Sequence, residues 1–260
     1  TSAQRLRSLT PHPAPVGCRS CAMTEGPPVV PMPTPEAAAA LAAECPSLRL
    51  MPQTQQLQSL MTVIRDQTTG PEDFVFFSDR IIRLLVEAGL EEMPHEPKQV
   101  HTPTGVIHQG VVWTLPYREK ICCVSIVRAG ESMEAGVRQV LKGIKIGKIL
   151  IQRDETTAMP KLFYSKLPPG IEDKAVLLLD PMLATGGSAI QAIKVLADAG
   201  VNLDRCVFIN LVCCPEGVRA VHAAYPQVRI VSAALDSHLD ERKYIVPGLG
   251  DFGDRYFGTY

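Results

Sequence analysis

The sequence lacks the features that mark several common classes of protein. Its 26 Lys and Arg residues nearly balance its 27 Asp and Glu residues, for a net charge of −1, so no basic field favours nucleic acid. No apolar run approaches the roughly 20 residues of a membrane-spanning helix. No Walker A motif occurs, and the Thr-Gly-Gly-Ser loop at 185–188 does not have the G-x-G-x-x-G spacing. We therefore expect no nucleic-acid partner, no membrane partner and no Walker-type nucleotide site.

Cysteine usage argues against a disulfide framework. Five of the eight cysteines stand in apolar, strand-like segments: Cys122, Cys123, Cys206, Cys213 and Cys214. A free thiol there packs as a small hydrophobe, which predicts reduced cysteines and a cytoplasmic protein. Cys18 and Cys21 have the spacing of half a zinc site, but no second pair matches them, so two unpaired cysteines are expected.

Residues 1–47 are predicted to be a disordered or targeting tail, followed by a folded domain over 48–260. The first 24 residues contain three arginines and no acidic residue, a composition similar to that of an organelle transit peptide. A plastid or mitochondrial location is therefore one alternative, and a basic tail ahead of a start at Met23 is another. The Pro-rich stretch 26–35 favours an extended linker.

The rest of the chain predicts an α/β fold. Two amphipathic helices are expected, one with helical spacing over 57–64 and closed by Gly70, the other over 71–90. The segment 105–113 resembles an edge hairpin. Apolar runs then alternate with helical segments. The expected strands are 121–127, 148–152, 175–179, 206–212 and 228–235, and the expected helices are 131–143, 188–199 and 215–226. This rhythm is typical of a mostly parallel sheet covered on both faces, whose ligands bind at the carboxyl ends of the strands.

The segment "VLLLDPMLATGGSAIQ" carries the strongest local signal. Thr185, Gly186, Gly187 and Ser188 stand at the start of a helix, where unpaired N–H groups favour a phosphate. The alternative is a plain helix capped by Ser188. Asp180, at the end of an apolar strand, adds a carboxylate that can accept hydrogen bonds from sugar hydroxyls. A diol and a phosphate together describe ribose 5-phosphate.

Two arginines follow other predicted strands. Arg128 stands in "SIVRAGES" and Arg153 in "LIQRDETT". Their planar guanidinium groups bind oxyanions in a bidentate manner, which suits a pyrophosphate. No Ser or Cys has the setting of a covalent nucleophile.

Four segments together resemble the type I phosphoribosyltransferases, and among them the eukaryotic-type uracil phosphoribosyltransferases. They are "DPMLATGGS" (180–188), "SIVRAGESME" (125–134), "ILIQRDETT" (149–157) and "YIVPGLGDFGDRYFGT" (244–259). The resemblance covers the chain from about residue 50 to its end. It implies the type I phosphoribosyltransferase fold, with a small hood built from the C-terminal segment and an N-terminal helical extension.

The resemblance also implies a reaction: uracil and 5-phospho-α-D-ribose 1-diphosphate (PRPP) give UMP and pyrophosphate. Mg²⁺ is expected as cofactor, held mainly by the substrate pyrophosphate, with no dedicated protein ligand. The residues that the resemblance assigns to PRPP are Arg128, Arg153, Asp180, Pro181, Met182, Leu183, Ala184, Thr185, Gly186, Gly187, Ser188 and Asp251. Those that it assigns to uracil are Ile245, Gly250, Asp251 and Phe252.

Further properties of the family carry over as expectations. Relatives are homodimers or homotetramers, and some are activated by GTP. The matching positions here are Arg80, Arg118, Glu119, Lys120 and Ile121, although Pro71 replaces a basic residue of that pattern. Some relatives are fused to a uridine kinase. Two alternatives stay open: a non-catalytic nucleotide sensor on the same fold, or a phosphoribosyltransferase for another base.

Overall fold

The apolar runs of the sequence become the strands of a central sheet. The computed structural model describes residues 29–113, 120–153 and 160–259, apart from the side chains of Arg153 and Pro160. In chain order the described strands are β1 (Leu48–Leu50), β2 (His95–His101), β3 (Ile107–Trp113), β4 (Ile121–Val127), β5 (Lys145–Arg153), β6 (Pro160–Lys166), β7 (Ala175–Leu179), β8 (Met182–Leu183), β9 (Cys206–Cys213), β10 (Arg229–Leu235), β11 (His238–Leu239) and β12 (Ile245–Val246).

Amphipathic segments form the helices around this sheet. Within the described ranges they are α1 (Pro35–Glu44), α2 (Gln55–Arg65), α3 (Pro71–Glu91), α4 (Glu134–Val140), α5 (Gly187–Asp198), α6 (Pro215–Ala224) and α7 (Phe252–Phe257). None of the helices in these ranges combines the length and the apolar character needed to cross a membrane.

The main sheet confirms the predicted α/β class. Its strand order is β1-β10-β9-β7-β4-β5-β6, with β8 beside β9. The pairs are parallel except for β6, which runs antiparallel to β5. Strands β7 and β9 are buried along their whole length, because helices cover both faces.

Successive side chains of the central strands pack in the hydrophobic cores on opposite faces of the sheet. Leu177 and Leu179 of β7 pack in the core with α2, α3, α4 and α7, whereas Val176 and Leu178 pack in the core with α1, α5 and α6. This is the two-residue period of a strand. The parallel sheet thus has a helical layer on each side, and the carboxyl ends of β4, β5, β7 and β9 share one edge.

Several element boundaries differ from the predicted ones. Helix α2 ends at Arg65, well before Gly70, because Asp66 adopts an extended conformation, and Gly70 instead precedes the first residue of α3. Gly89 lies inside α3, where a Cβ would stand 2.8 Å from the Cγ2 of Ile209. Close packing on the sheet explains this glycine. The segment 131–143 divides into a 3₁₀ turn over 129–133 and the short helix α4.

The predicted hairpin exists, but it is not an edge of the main sheet. Strands β2 and β3 pair with each other in a separate two-stranded sheet. The polar segment 95–101 gave no strand signal in the sequence because its residues are exposed along their whole length. Strands β1 and β6 were also missed, the first because it spans only three residues.

The N-terminal boundary predicted at residue 48 is too late. Residues 35–44 form α1, which begins after Thr34, whose side chain accepts a hydrogen bond from the N–H of Ala37 at 3.2 Å. Leu41 is 4% exposed, and Glu44 forms an ion pair with Arg219 of α6 at 2.8 Å. Helix α1 therefore packs against the domain. The expectations for residues 1–28, including Cys18 and Cys21, lie outside the described residues.

All six described cysteines are free and buried. Burial raises the pKa of the Cys122 thiol to about 12, and it raises the pKa values of Cys206 and Cys213 to about 12 as well. These groups therefore behave as small apolar side chains.

The packing of α1 can be tested by removing its buried side chain. We expect Leu41→Ala to lower the free energy of unfolding by about 2–4 kcal/mol, because it leaves a cavity between α1 and the sheet. The matched control is Leu84→Ala on α3, where the leucine is 44% exposed and the expected loss is under about 1 kcal/mol. Urea unfolding measures both. Equal losses in the two variants would contradict the packing of α1.

Candidate active site

The carboxyl edge of the sheet borders a cavity of about 390 Å³. Its lining comes from the residues after β4 and β7 and from the C-terminal segment. The lining residues are Ala129, Asp180, Met182, Ala184, Ser188, Arg242, Lys243, Tyr244, Ile245, Gly250, Asp251, Phe252 and Gly253. Two larger cavities, of about 610 and 510 Å³, adjoin the N-terminal segment and contain none of the predicted site residues. The chemistry therefore places the candidate site in the smaller cavity.

Asp180 follows β7 directly and faces this cavity. Its Oδ1 accepts a long hydrogen bond from the N–H of Met182, at 3.4 Å. Burial raises the pKa of this carboxyl group to about 7, and no cation forms an ion pair with it among the described residues. Asp180 is partly buried, and a desolvated carboxyl group without a cation is costly to the fold. Such groups are concentrated at functional sites.

The glycine-rich loop leaves the start of α5 without a side-chain cap. Gly186 is the residue before the helix, with a φ of 81°, and it has no side chain to cap the first turn. The one side-chain acceptor there in the described residues is Thr185, whose Oγ1 accepts a long hydrogen bond from the N–H of Gly187 at 3.4 Å. The alternative in which Ser188 caps the helix is therefore wrong, because Ser188 lies inside the first turn. The N–H groups of this turn remain available to an anion from the cavity.

Helix α6 supports this loop from behind. A Cβ on Gly217 would lie 2.3 Å from the carbonyl oxygen of Ala184, so only glycine permits this approach. The carbonyl oxygen of Leu183 accepts a hydrogen bond from the N–H of Cys214 at 3.2 Å. The carbonyl oxygen of Pro181 accepts hydrogen bonds from the N–H groups of Leu211 and Val212, at 2.9 and 3.1 Å. Pro181 and Leu183 thus position the loop, whereas Met182 and Ala184 line the cavity.

The two predicted arginines stand at the carboxyl ends of neighbouring strands. Arg128 follows β4, and its guanidinium group donates to Asp254 at 2.5 Å and to Thr259 at 2.7 Å. Its Nη2 also lies beside Gly253 of the cavity wall, 3.2 Å from where a Cβ would stand. Arg153 is the last residue of β5, and its side chain lies outside the described residues. The sheet therefore brings the two backbone positions to one edge.

The predicted base pocket presents main chain to the cavity. Ile245 and Phe252 are only 6% and 1% exposed, and their side chains pack in the core with α2 and α3. Gly250 has a φ of 81°, and its N–H and C=O groups have no partner among the described residues. The groups that can meet a ligand here are thus main-chain donors and acceptors. Asp251 also lines the cavity, and its Oδ1 caps α7 by accepting from the N–H of Asp254 at 2.8 Å.

A buried ion pair, which sequence reasoning did not predict, holds this segment. Arg65 of α2 donates to both carboxylate oxygens of Asp236, at 2.8 and 2.6 Å. Asp236 is fully buried, and it also accepts from the N–H of Gly248, whose carbonyl oxygen accepts from Arg65. The two side chains are 171 residues apart, so no local pattern links them.

The sequence reasoning also missed three residues of the loop between β11 and β12. Arg242, Lys243 and Tyr244 all line the cavity. The signal that could have found them is the cluster "ERKY", which directly precedes the "IVPGLGD" block.

Of the residues expected to bind GTP, those that the structure describes do not line the cavity. Arg80 lies on α3, with its guanidinium carbon 5.7 Å from the ring centre of Phe77 and 5.9 Å from that of Phe76. Ile121 begins β4 and is 1% exposed, so its side chain is unavailable to an effector. Lys120 precedes it and is partly buried, while Arg118 and Glu119 lie outside the described residues.

The residues around the cavity fit a cation carried in by a phosphorylated substrate. No cluster of three or more His, Cys, Asp or Glu side chains that could hold a metal occurs in the described ranges. Two carboxylates, Asp180 and Asp251, line the cavity. One or two carboxylates combined with substrate phosphates are a usual environment for Mg²⁺.

Comparisons with known proteins agree with the geometry. The family model described as "Uracil phosphoribosyltransferase" matches residues 51–259. The chain is 59% identical to the uracil phosphoribosyltransferase of Dictyostelium discoideum over 204 residues, which is 78% of this chain and 93% of that protein. It is also 59% identical to the uracil phosphoribosyltransferase of Saccharomyces cerevisiae over 208 residues, or 80% of this chain and 94% of that one. Among solved structures, the AQ2163 protein from Aquifex aeolicus superimposes with a TM-score of 0.70 at 29% identity, covering 82% of this chain and 98% of that one.

The pKa of Asp180 makes a prediction about stability. In the folded protein the carboxyl group keeps its proton up to about pH 7, whereas in the unfolded chain it ionises near 3.8. Folding stability should therefore fall as pH rises between these values. Asp180→Asn removes this loss. We therefore expect the free energy of unfolding of the variant, relative to that of the wild type, to rise by up to about 4 kcal/mol between pH 4 and pH 8.

Urea unfolding across this pH range, without substrates, measures the gain. The control is Asp173→Asn, which changes an exposed carboxylate of a 3₁₀ turn and should follow the wild-type profile. Parallel profiles for Asp180→Asn and the wild type would contradict the desolvated, unpaired state of Asp180.

Proposed function

Because the chain belongs to the uracil phosphoribosyltransferase family, we propose that it transfers the phosphoribosyl group of PRPP to uracil, which gives UMP and pyrophosphate. The observation that carries this proposal is the composition of one cavity. It combines a helix start whose N-cap is a glycine, a partly buried carboxyl group without a cation, and a wall of main-chain groups. These three parts match the phosphate, the ribose and the base of a pyrimidine nucleotide.

The proposed chemistry is electrostatic. Breakage of the bond between C1 of the ribose and the leaving oxygen builds positive charge on the sugar and negative charge on the pyrophosphate. N1 of uracil bonds to C1 and loses its proton, which the departing pyrophosphate accepts. Asp180 accepts hydrogen bonds from the ribose hydroxyls, and these bonds favour its ionised form. The first turn of α5 holds the 5′-phosphate. Arg128 and Arg153 are the proposed partners of the leaving pyrophosphate. Mg²⁺, when bound through the pyrophosphate oxygens, would neutralise part of the leaving group's charge.

Base choice follows from the main-chain wall. The N–H and C=O groups around Ile245 and Gly250 cannot rotate to suit another pattern of donors and acceptors. Uracil presents an acceptor at O4 beside a donor at N3, whereas cytosine presents the inverse. Two inverted contacts predict a preference for uracil of about 10²-fold or more.

A turnover assay tests the function directly. The full chain is supplied with PRPP and Mg²⁺ and, in turn, with uracil, cytosine, hypoxanthine and orotate. We expect UMP and pyrophosphate from uracil and a loss of about tenfold or more in Asp180→Asn, which lacks a charge-assisted hydrogen bond. Turnover with another base would replace uracil as the substrate. PRPP binding without turnover of any base would indicate a nucleotide sensor.

We also propose a homodimer or homotetramer. The hairpin of β2 and β3 exposes Val100, Val106, Ile107 and Val111, and a two-stranded sheet alone is marginally stable in water. A partner subunit that covers these side chains would account for them. Light scattering that returns the mass of one chain at micromolar concentration would contradict this proposal.

Control by GTP and cellular location complete the proposal. Arg80 beside two aromatic rings supplies a cation for a GTP phosphate, and a turnover rate that is independent of GTP would contradict this role.

The six free, buried cysteines of the described residues support a cytoplasmic location. Imaging of the full chain with a C-terminal fluorescent tag distinguishes the cytoplasm from a plastid or mitochondrion.

Gly250 provides a test of the base pocket with a matched control. Its φ of 81° is unfavourable for a valine, and the added side chain would enter the cavity wall, so we expect Gly250→Val to abolish uracil use while PRPP binding persists. Gly105, in the hairpin turn, has a φ of 83° with no atom near its Cβ position and no part in the cavity. Gly105→Val imposes the same backbone strain and should keep its activity. Full activity in Gly250→Val, measured as kcat/KM for uracil, would contradict the assignment of Gly250 to the uracil pocket.

A further inference from the structure

The loop between β11 and β12 carries an unusual backbone conformation at the cavity. Lys243 has a φ of 68°, and across the described ranges it is the only non-glycine residue with a positive φ. The left-handed region is unfavourable for a lysine, and such conformations are concentrated at functional sites. Both Lys243 and its neighbour Arg242 line the cavity that holds Asp180 and Ser188.

Asp240 holds the loop in this shape. Its Oδ1 accepts hydrogen bonds from the N–H of Arg242 at 2.9 Å and from the N–H of Tyr244 at 2.8 Å. Its main chain bonds to Tyr244 and Lys243, at 2.8 and 3.0 Å. Four hydrogen bonds therefore converge on one residue, and they keep the two cationic side chains at the cavity.

Neither cation has a partner within the described part of the chain. No ion pair or side-chain hydrogen bond of Arg242 or Lys243 is found there. By contrast, Arg128 is already paired with Asp254. The cavity also contains the carboxylates Asp180 and Asp251, which oppose an anionic ligand. A donor with a phosphate and a diphosphate therefore needs further positive charge at this wall.

We propose that Lys243, supported by Arg242, binds phosphate oxygens of the donor from the hood side of the cavity. This inference rests on the proposed function and deepens it. The two cations would form charge-assisted hydrogen bonds to the donor opposite the first turn of α5. Lys243 would contribute to donor affinity and leave base recognition to the main chain around Gly250.

Substitutions at position 243 separate charge from backbone shape. Lys243→Gly removes the ammonium group and suits the positive φ, so the loop keeps its conformation. Lys243→Arg keeps a cation on the same backbone. The control is Lys142→Gly, in an exposed turn before β5, at the opposite edge of the sheet from the cavity.

Steady-state kinetics give the readout. We expect Lys243→Gly to raise the KM for PRPP about tenfold, the size of one charge-assisted hydrogen bond, with an unchanged KM for uracil. Lys243→Arg should keep most of the donor affinity, and the double variant with Arg242→Gln should lose more. Product inhibition locates the contact: weaker inhibition by pyrophosphate alone indicates the diphosphate, and weaker inhibition by UMP alone indicates the 5′-phosphate. Both results support the proposal.

An unchanged KM for PRPP in Lys243→Gly and in the double variant would overturn the proposal. An equal rise in the KM values for PRPP and uracil would also overturn it, since that pattern reports a disturbed hood. The proposed function fails separately, if the wild type gives no turnover with uracil. In that case calorimetric titration of PRPP into the wild type and Lys243→Gly still tests the contact, because a loss of affinity requires only binding.

Discussion

The buried pair of Arg65 and Asp236 is the interaction on which the candidate site depends. Asp236 stands directly after β10, and Arg65 is the last residue of α2, so the pair joins the sheet to its helical layer. The same two groups bind both polar atoms of the Gly248 main chain. A carboxylate buried this deeply is tolerated only because the guanidinium group and an N–H satisfy it, and removal of one partner from such a pair typically costs about 3–5 kcal/mol.

The cavity divides its chemistry between two kinds of group. The sheet edge and α5 supply a carboxylate and helix N–H groups, whose positions follow from regular secondary structure. The C-terminal segment supplies main chain, which is fixed by the pair of Arg65 and Asp236 and by Arg255. Arg255 donates to the carbonyl oxygens of Ile64, Leu249 and Asp66. The hood is thereby attached to the end of α2 by two arginines from opposite sides.

Helix α6 connects parts of the molecule that are distant in sequence. Gly217 approaches the carbonyl oxygen of Ala184, just before the glycine-rich loop at 185–188. Glu216 accepts a hydrogen bond from the N–H of Leu239 in β11. On its outer side, Arg219 pairs with Glu44 of the N-terminal helix. About one turn of α6 therefore contacts the glycine-rich loop, the β11 strand and the N-terminal helix. Through this turn Glu44, which lies outside the matched range 51–259, is connected to the cavity wall.

The sequence by itself determined the α/β class and most strands and helices of the sheet layers, and it predicted the glycine-rich loop at 185–188 and the block at 244–253 as candidate ligand sites. These follow from local patterns: buried strands are apolar on both faces, and a glycine pair before an amphipathic run indicates a phosphate loop. Helix ends were less certain, as Gly70 shows, since a glycine can precede a helix as well as follow one. Short or exposed strands such as β1 and β2 carry no periodic signal.

Tertiary structure alone decided which side chains meet. The pair of Arg65 and Asp236, the contact of Glu44 with Arg219, and the position of Lys243 at the cavity join residues that no local pattern relates. It also decided that Gly186, and not Ser188, precedes α5, because the approach of α6 requires a glycine there. The physical reason is that burial, pairing and close approach are properties of surfaces brought together by folding, whereas periodicity reports only on the element in which a residue lies.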